Sequence, residues 1–146
     1  MYRGMGVIFF EVLGPILQDE SIDHVERLRL AIKAHVLTAI ENQGVFEIYF
    51  RERHEIPKAV QERLVTRRDR IYIEGLTQLI ESGVKAGAFQ VDDPRVAAFA
   101  VTGACNWITF WYRAPRGVAG EVRLGAEEIA ANIFQTVGAG LISRRA

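Results

Sequence analysis

The side chains of this chain that could do chemistry are three histidines, one cysteine, a run rich in arginine and a scattered set of aromatic rings. His24, His35 and His54 stand at no metal-ligand spacing and form no His-Glu-x-x-His pattern. His35 falls toward the core side of its helix, where a histidine satisfied by hydrogen bonds is expected rather than a ligand. Glu127 and Glu128 are sequence neighbours, and neighbours on a helix do not face each other; their charge suits a helix N-terminus instead. No Gly-x-Ser-x-Gly elbow and no phosphate-cradling glycine loop occurs. The residue types therefore predict no enzyme, no metal and no cofactor. Cys105, alone inside an apolar run, excludes an intramolecular disulfide and a cysteine-cluster metal site and fits a reducing cytoplasm.

Two patterns remain. Between Arg51 and Arg70, Arg51, Arg53, Lys58, Arg63, Arg67, Arg68 and Arg70 outnumber Glu52, Glu55, Glu62 and Asp69. Such a run is either a solvated helix face or a docking site for an anionic ligand end. The aromatic set, Phe46, Tyr49, Phe50, Tyr72, Phe99, Trp107, Phe110, Trp111 and Tyr112, comes from four helical stretches. It either fills a core or, interleaved with Gly75, Gly103 and Asn106, lines a mostly apolar cavity with few polar groups.

The elements that must position these residues follow from periodicity and punctuation. Residues 6–18 read as a helix that Gly14-Pro15 should bend or break. Asp19, Glu20 and Ser21 offer capping groups for a helix over residues 22–42, whose apolar positions Ile22, Val25, Leu28, Ile32, Val36 and Ile40 recur at helical spacing. Its opposite face carries Glu26, Arg27, Arg29 and Lys33, and Gly44 is placed to stop it. Residues 45–55 form a short helix with Phe46, Tyr49 and Phe50 on one face. Pro57 at the first helical position opens a long helix to about Ala86, ended by Gly87. Asp93-Pro94 caps the next helix, and Gly125 with Glu128 three residues on opens the last, with Leu124 and Ile129 as a hydrophobic staple. Six helices and no convincing strand make the chain all-α.

The fifth of these is the one around which the others are arranged. Between Arg95 and Arg113 no residue carries a charge and no angle of the helical wheel is left polar, so both faces must be covered. One face should line the interior and the other should meet a second copy of the chain. As a membrane span the run is at the lower limit of length and is weakened by Thr102, Asn106 and Thr109. The 146 residues suit one domain, 49% of them are apolar, and 18 basic side chains balance 18 acidic ones, which leaves no global electrostatic case for nucleic acid or a membrane surface.

The order of segments resembles the C-terminal ligand-binding and dimerisation domain of TetR-type transcriptional regulators. The resemblance spans residues 22–142. It is carried by Arg27-Leu28-Arg29, by Arg51-Glu52-Arg53 ahead of Ile56-Pro57, and by Gly83-Val84-Lys85-Ala86-Gly87-Ala88-Phe89 before Asp93-Pro94. Gly103-Ala104-Cys105-Asn106-Trp107, Trp111-Tyr112-Arg113 and Glu127-Glu128-Ile129-Ala130 complete it. It implies one effector domain over 1–146, a helical bundle whose last two helices form a four-helix seam in a homodimer. It also implies a hydrophobic effector, fatty-acyl, acyl-CoA or steroid-like, surrounded by Phe46, Tyr49, Phe50, Tyr72, Leu76, Phe99, Gly103, Asn106, Trp107 and Phe110. The seam it implies uses Val101, Ala104, Ile108, Trp111, Ile129, Ile133, Phe134 and Val137. Residues 1–20 read as the remnant of a linking helix, too short for a helix-turn-helix, so operator DNA is expected to be read only through a domain this sequence lacks. The alternative is a helical dimerisation module without a ligand cavity.

Overall fold

The computed structural model describes residues 11–52, 55, 57–112 and 124–144, and for Tyr49, Phe50 and residues 60–71 the helical backbone alone. Helix α1 covers 11–18, α2 His24–Glu41, α3 Gln43–Glu52, α4 Lys58–Lys85, α5 Pro94–Trp111 and α6 Ala126–Leu141. The expected all-α bundle is present, and among the described residues the only strand-like pairing is a bridge between Phe89 and Ile142.

Several boundaries differ from the sequence reading for local reasons. α1 runs through Gly14-Pro15 without a break. Asp23, not the 19–21 cluster, caps α2 by accepting from the Glu26 N–H at 2.8 Å, while Asp19 closes its own turn onto Ser21. α2 ends at Glu41 with Asn42 as its cap, close to the expected 42, but Gly44 is not what stops it and sits inside α3. Pro57 is the N-cap of α4, one position earlier than expected. Asp93 caps α5 as expected, accepting from Arg95 N and Val96 N at 2.9 and 3.1 Å, with Pro94 in the first turn. At α6 the Glu128 carboxylate reaches back to the Gly125 N–H over a long 3.5 Å, and glycine has no side chain to return the contact.

The core is built on the stripe Leu28, Ala31, Ile32, Val36 and Ala39 of α2. Leu76, Leu79 and Ile80 of α4, Ala98, Val101, Cys105 and Ile108 of α5, and Ile129, Ala130 and Leu141 of α6 close around it. Leu13 and Leu17 fasten α1 to the same core, and Phe46 brings in α3. After α4 the chain reverses at Gly87, whose φ of 81° lies in the left-handed region that glycine adopts without strain. Residues 88–90 then lie along the end of α6, with Gln90 N donating to Leu141 O at 2.8 Å and Ser143 N to Ala88 O at 2.9 Å. α5 is thereby pinned between the core and the surface. No helix of the described residues is long and apolar enough to cross a membrane.

Candidate functional site

Three polar side chains meet inside the bundle, one from each of α2, α4 and α5. His35 Nε2 lies 2.8 Å from Asn106 Oδ1, and His35 Nδ1 lies 2.7 Å from the Tyr72 hydroxyl. A carbonyl oxygen only accepts, so Nε2 carries the proton and Nδ1 accepts from Tyr72 O–H. The two rings meet edge to face with centroids 5.5 Å apart. Burial depresses the His35 pKa to about 4, partly opposed by the bond to Asn106, so the imidazole is neutral at physiological pH. Burial likewise holds the Tyr72 hydroxyl above its ordinary pKa, helped by the neighbouring Cys105 and opposed by Thr102, and burial pushes the Cys105 thiol up to about 12. The trio is polar, uncharged and poised to donate or accept hydrogen bonds rather than to move protons near neutrality.

Also on α5, the hydroxyls of Thr102 and Thr109 are buried without a well-formed hydrogen bond among the described residues. Thr102 lies near enough to Tyr72 to influence its ionisation, yet no bond of good geometry joins them. Buried polar atoms left this way are uncommon and mark a place for a further polar partner.

Tyr72 also forms part of a second feature, a half-open cleft of about 270 Å³ between α1, α2 and α4. Gly14, Leu17 and Gln18 of α1, Glu20, Arg27 of α2, and Tyr72, Gly75, Gln78, Leu79 and Ser82 of α4 line it. Arg27 Nε donates to Ile22 O at 2.9 Å and Nη1 to Leu17 O at 3.4 Å, so this side chain holds the carbonyl end of α1. Across the cleft's rim His24 Nε2 meets Ser82 Oγ at 2.9 Å and joins α2 to α4.

The outer face of α5 is a third feature. Val96, Phe99, Trp107, Phe110 and Trp111 are exposed, Trp107 to 63%, and Ala100 and Gly103 share that face. Trp107 and Phe110 rings lie 5.1 Å apart, and the Arg95 guanidinium sits 5.9 Å over the Phe99 ring.

These placements divide the residues expected around an effector. Phe46 and Leu76 are fully buried, and Tyr72 and Asn106 belong to the polar trio. Phe99, Gly103, Trp107 and Phe110 point the other way, outward from α5. Conversely Val101 and Ile108, expected at a seam between copies, are packed inside the subunit. For Phe99, Gly103, Trp107 and Phe110 on one side and Val101 and Ile108 on the other, the faces of α5 are exchanged relative to expectation, because an all-apolar wheel gives no polar arc to orient the helix. Asn106 faces inward and Trp111 outward, as expected. Asn106 and Thr102, turned toward His35 and Tyr72, set the rotation. Trp111 is exposed, Ala104, Ile133, Phe134 and Val137 are half-buried, and Ile129 is buried. The side chains of Tyr49 and Phe50 lie outside the described residues. Of the arginine run, Arg51 pairs with Glu47 at 2.7 Å and Lys58 is exposed, while the side chains of Arg53, Arg63, Arg67, Arg68 and Arg70 lie outside the described residues.

Arg27 was expected on the solvent face of α2 and is instead buried to 7% exposure. The signal available was its spacing: Arg27 precedes Ala31 and His35 by four and eight residues, on the flank of the buried stripe. The partners of His35 had no such signal, since residues 35, 72 and 106 are related only by the tertiary fold.

Residues 21–141 match the family described as tetracyclin repressor-like, C-terminal domain. The chain belongs to this family. Solved structures of the same fold agree with the assignment. The ketosteroid transcriptional regulator KstR2 of Mycobacterium tuberculosis superposes with a TM-score of 0.81 at 20% identity, over 99% of this chain and 70% of that one. A TetR/AcrR-family transcriptional regulator from Thermobifida fusca gives 0.76 at 23% identity, over 93% and 68%. AibR, solved in complex with isovaleryl coenzyme A and operator DNA, gives 0.71 at 23% identity, over 92% and 70%. No curated protein matches the chain in sequence. Within this TetR-like domain, α2, α4 and α5 bring the polar trio together, and α1 closes the cleft beside it.

Proposed function

We propose that this TetR-like domain is a non-enzymatic effector sensor that dimerises and binds an apolar small molecule next to Tyr72. The observation that carries the reading is the position of Tyr72, one residue shared between the neutral trio and the cleft that α1 covers. Apolar walls with a few convergent, uncharged polar groups suit a mostly hydrophobic ligand with one or two hydrogen-bonding atoms. The solved relatives whose names mention a ketosteroid or isovaleryl coenzyme A support an acyl or steroid-like class. A ligand seated against Tyr72 presses on α1, the helix that by the family resemblance links an effector domain to DNA-reading heads. Differential binding to two positions of α1 then shifts their populations, which is the mechanism of control.

The exposed apolar stripe of α5 supports the homodimer. Val96, Phe99, Trp107, Phe110 and Trp111 make a contiguous patch of the kind that marks a protein interface. Ile133, Phe134 and Val137 of α6 pack partly against the subunit's core and keep some surface, which would give each subunit a second helix for a four-helix seam. Fully buried Phe46 and Leu76 favour the rival reading, a dimerisation module with a filled interior. Thermal melts against fatty acids, acyl-CoA thioesters and sterols separate the two. A compound that raises the melting temperature of the wild-type chain, and raises it less in Tyr72→Ala, supports the sensor. A flat response to all three classes overturns it.

A further inference from the structure

We propose that Arg27 is an anchor for the carboxylate of a small apolar acid in the α1–α2–α4 cleft, which makes the effector a free medium-chain carboxylic acid. The inference rests on the effector-binding reading and narrows its ligand class.

Arg27 is a buried cation with no anion in direct contact: the exposed Asp19 carboxylate feels its charge, but it is bonded to Ser21 and forms no ion pair with the guanidinium. It is 7% exposed and lines the cleft, yet among the described residues no carboxylate lies within salt-bridge distance of it. The other basic side chains of α2 are engaged elsewhere, Arg29 with Glu26 and Lys33 with Glu127 at 3.9 Å. A guanidinium does not shed its proton, and a buried charge is costly unless paired. Its two bonds to backbone carbonyls use Nε and Nη1 and leave Nη2 with no acceptor among the described residues. An open guanidinium edge of this kind matches the two oxygens of a carboxylate.

The walls supply the rest of the specificity. Leu17, Leu79 and the Tyr72 ring offer apolar contact for a tail. A 150 Å³ cavity accommodates benzene, so about 270 Å³ holds a ligand of about ten non-hydrogen atoms. That size encloses an eight-carbon acid whole, whereas a steroid nucleus or a thioester with its cofactor would have to extend out through the open side. Glu20, at the outer lip, is exposed to water, where its repulsion of a bound carboxylate is screened. The 3.4 Å bond from Arg27 to Leu17 O is the weaker of its two. A carboxylate that draws the guanidinium toward the cleft competes with that bond and loosens the end of α1, which turns occupancy into a change at the linking helix.

Isothermal titration calorimetry of the full chain with octanoate and with octanamide, its neutral analogue of equal size, tests the anchor. Octanoate is expected to bind roughly tenfold or more tightly than octanamide, the advantage of a charge-assisted over a neutral hydrogen bond. Arg27→Met should erase that preference and Arg27→Lys should reduce it several-fold. Gln78→Trp, at an exposed position on the cleft wall, should block both ligands while leaving Arg27 in place. If Arg27→Met does not fold, the lysine and tryptophan variants decide. Equal affinity for acid and amide, or an acid preference that survives in the Arg27 variants, overturns the anchor and leaves the sensor reading intact. Binding of an acyl-CoA or a sterol with no binding of octanoate does the same. Failure of every compound to bind overturns both.

Discussion

Replacing His35 with glutamine is expected to remove a specific pH dependence of stability. In the unfolded chain the imidazole protonates near its ordinary pKa of 6.5, whereas in the fold burial holds it to about 4. Between these values the unfolded state binds the extra proton, so stability rises with pH. The contribution is complete above about pH 6.5, is lost progressively as pH falls toward 4, and changes no further below that. The gap in pKa corresponds to about 3 kcal/mol. Urea unfolding followed by circular dichroism at several pH values from 7.5 to 4, at one protein concentration, reads it directly. Carboxylates titrate in both proteins and largely cancel in the difference. The wild type should be the more stable at pH 7.5, because glutamine cannot satisfy Tyr72 and Asn106 together in the same geometry, a cost of about 1–3 kcal/mol. The gap should narrow by about 3 kcal/mol on going to pH 4. Parallel curves for the two proteins would refute a neutral, buried His35 and with it the uncharged character of the site.

Trp107→Glu places a charge in the centre of the exposed α5 stripe and should weaken dimerisation at least about 30-fold by sedimentation, the loss of a tryptophan hot spot, with the helical circular dichroism unchanged. Gly83→Ala would drive a Cβ into the ring of the buried Phe89 and should destabilise the fold by about 1–3 kcal/mol. Gly44→Ala, whose added Cβ meets no packed neighbour within 4 Å among the described residues, should instead gain up to about 1 kcal/mol of helix propensity, and thermal melts of the two variants check the contrast. Cys105, buried with its thiol pushed up to about 12, should react with a disulfide reagent only as fast as the protein opens, and at once in denaturant.

The fold was legible in the sequence where local chemistry decides it. The helical stripe of Leu28, Ile32 and Val36, the Asp93-Pro94 start of α5 and the stop at Gly87 all depend on residues within a few positions of one another. The start of α2 was misplaced because Asp19, Ser21 and Asp23 all have side chains able to cap, and only the path of the chain chooses among them. The site was less legible. Hydrophobic patterning marks α5 as apolar all round but cannot tell its inner face from its outer one, so Trp107 and Ile108 were assigned to each other's sides. The rotation of α5 is fixed by a hydrogen bond between residues far apart in sequence, His35 of α2 to Asn106 of α5. Arg27 was hidden by its own chemistry, since an arginine on an amphipathic helix reads as solvent-facing until a helix end is found packed across it.

Native mass spectrometry of the chain with a mixed panel of free fatty acids, acyl-CoA thioesters and sterols tests the effector-domain account most directly, because subunit count and occupancy appear in one spectrum. The account predicts a dimer that retains one small molecule per subunit, with retention lost in Tyr72→Ala. A strict monomer, or a dimer that retains no member of the panel, would contradict it.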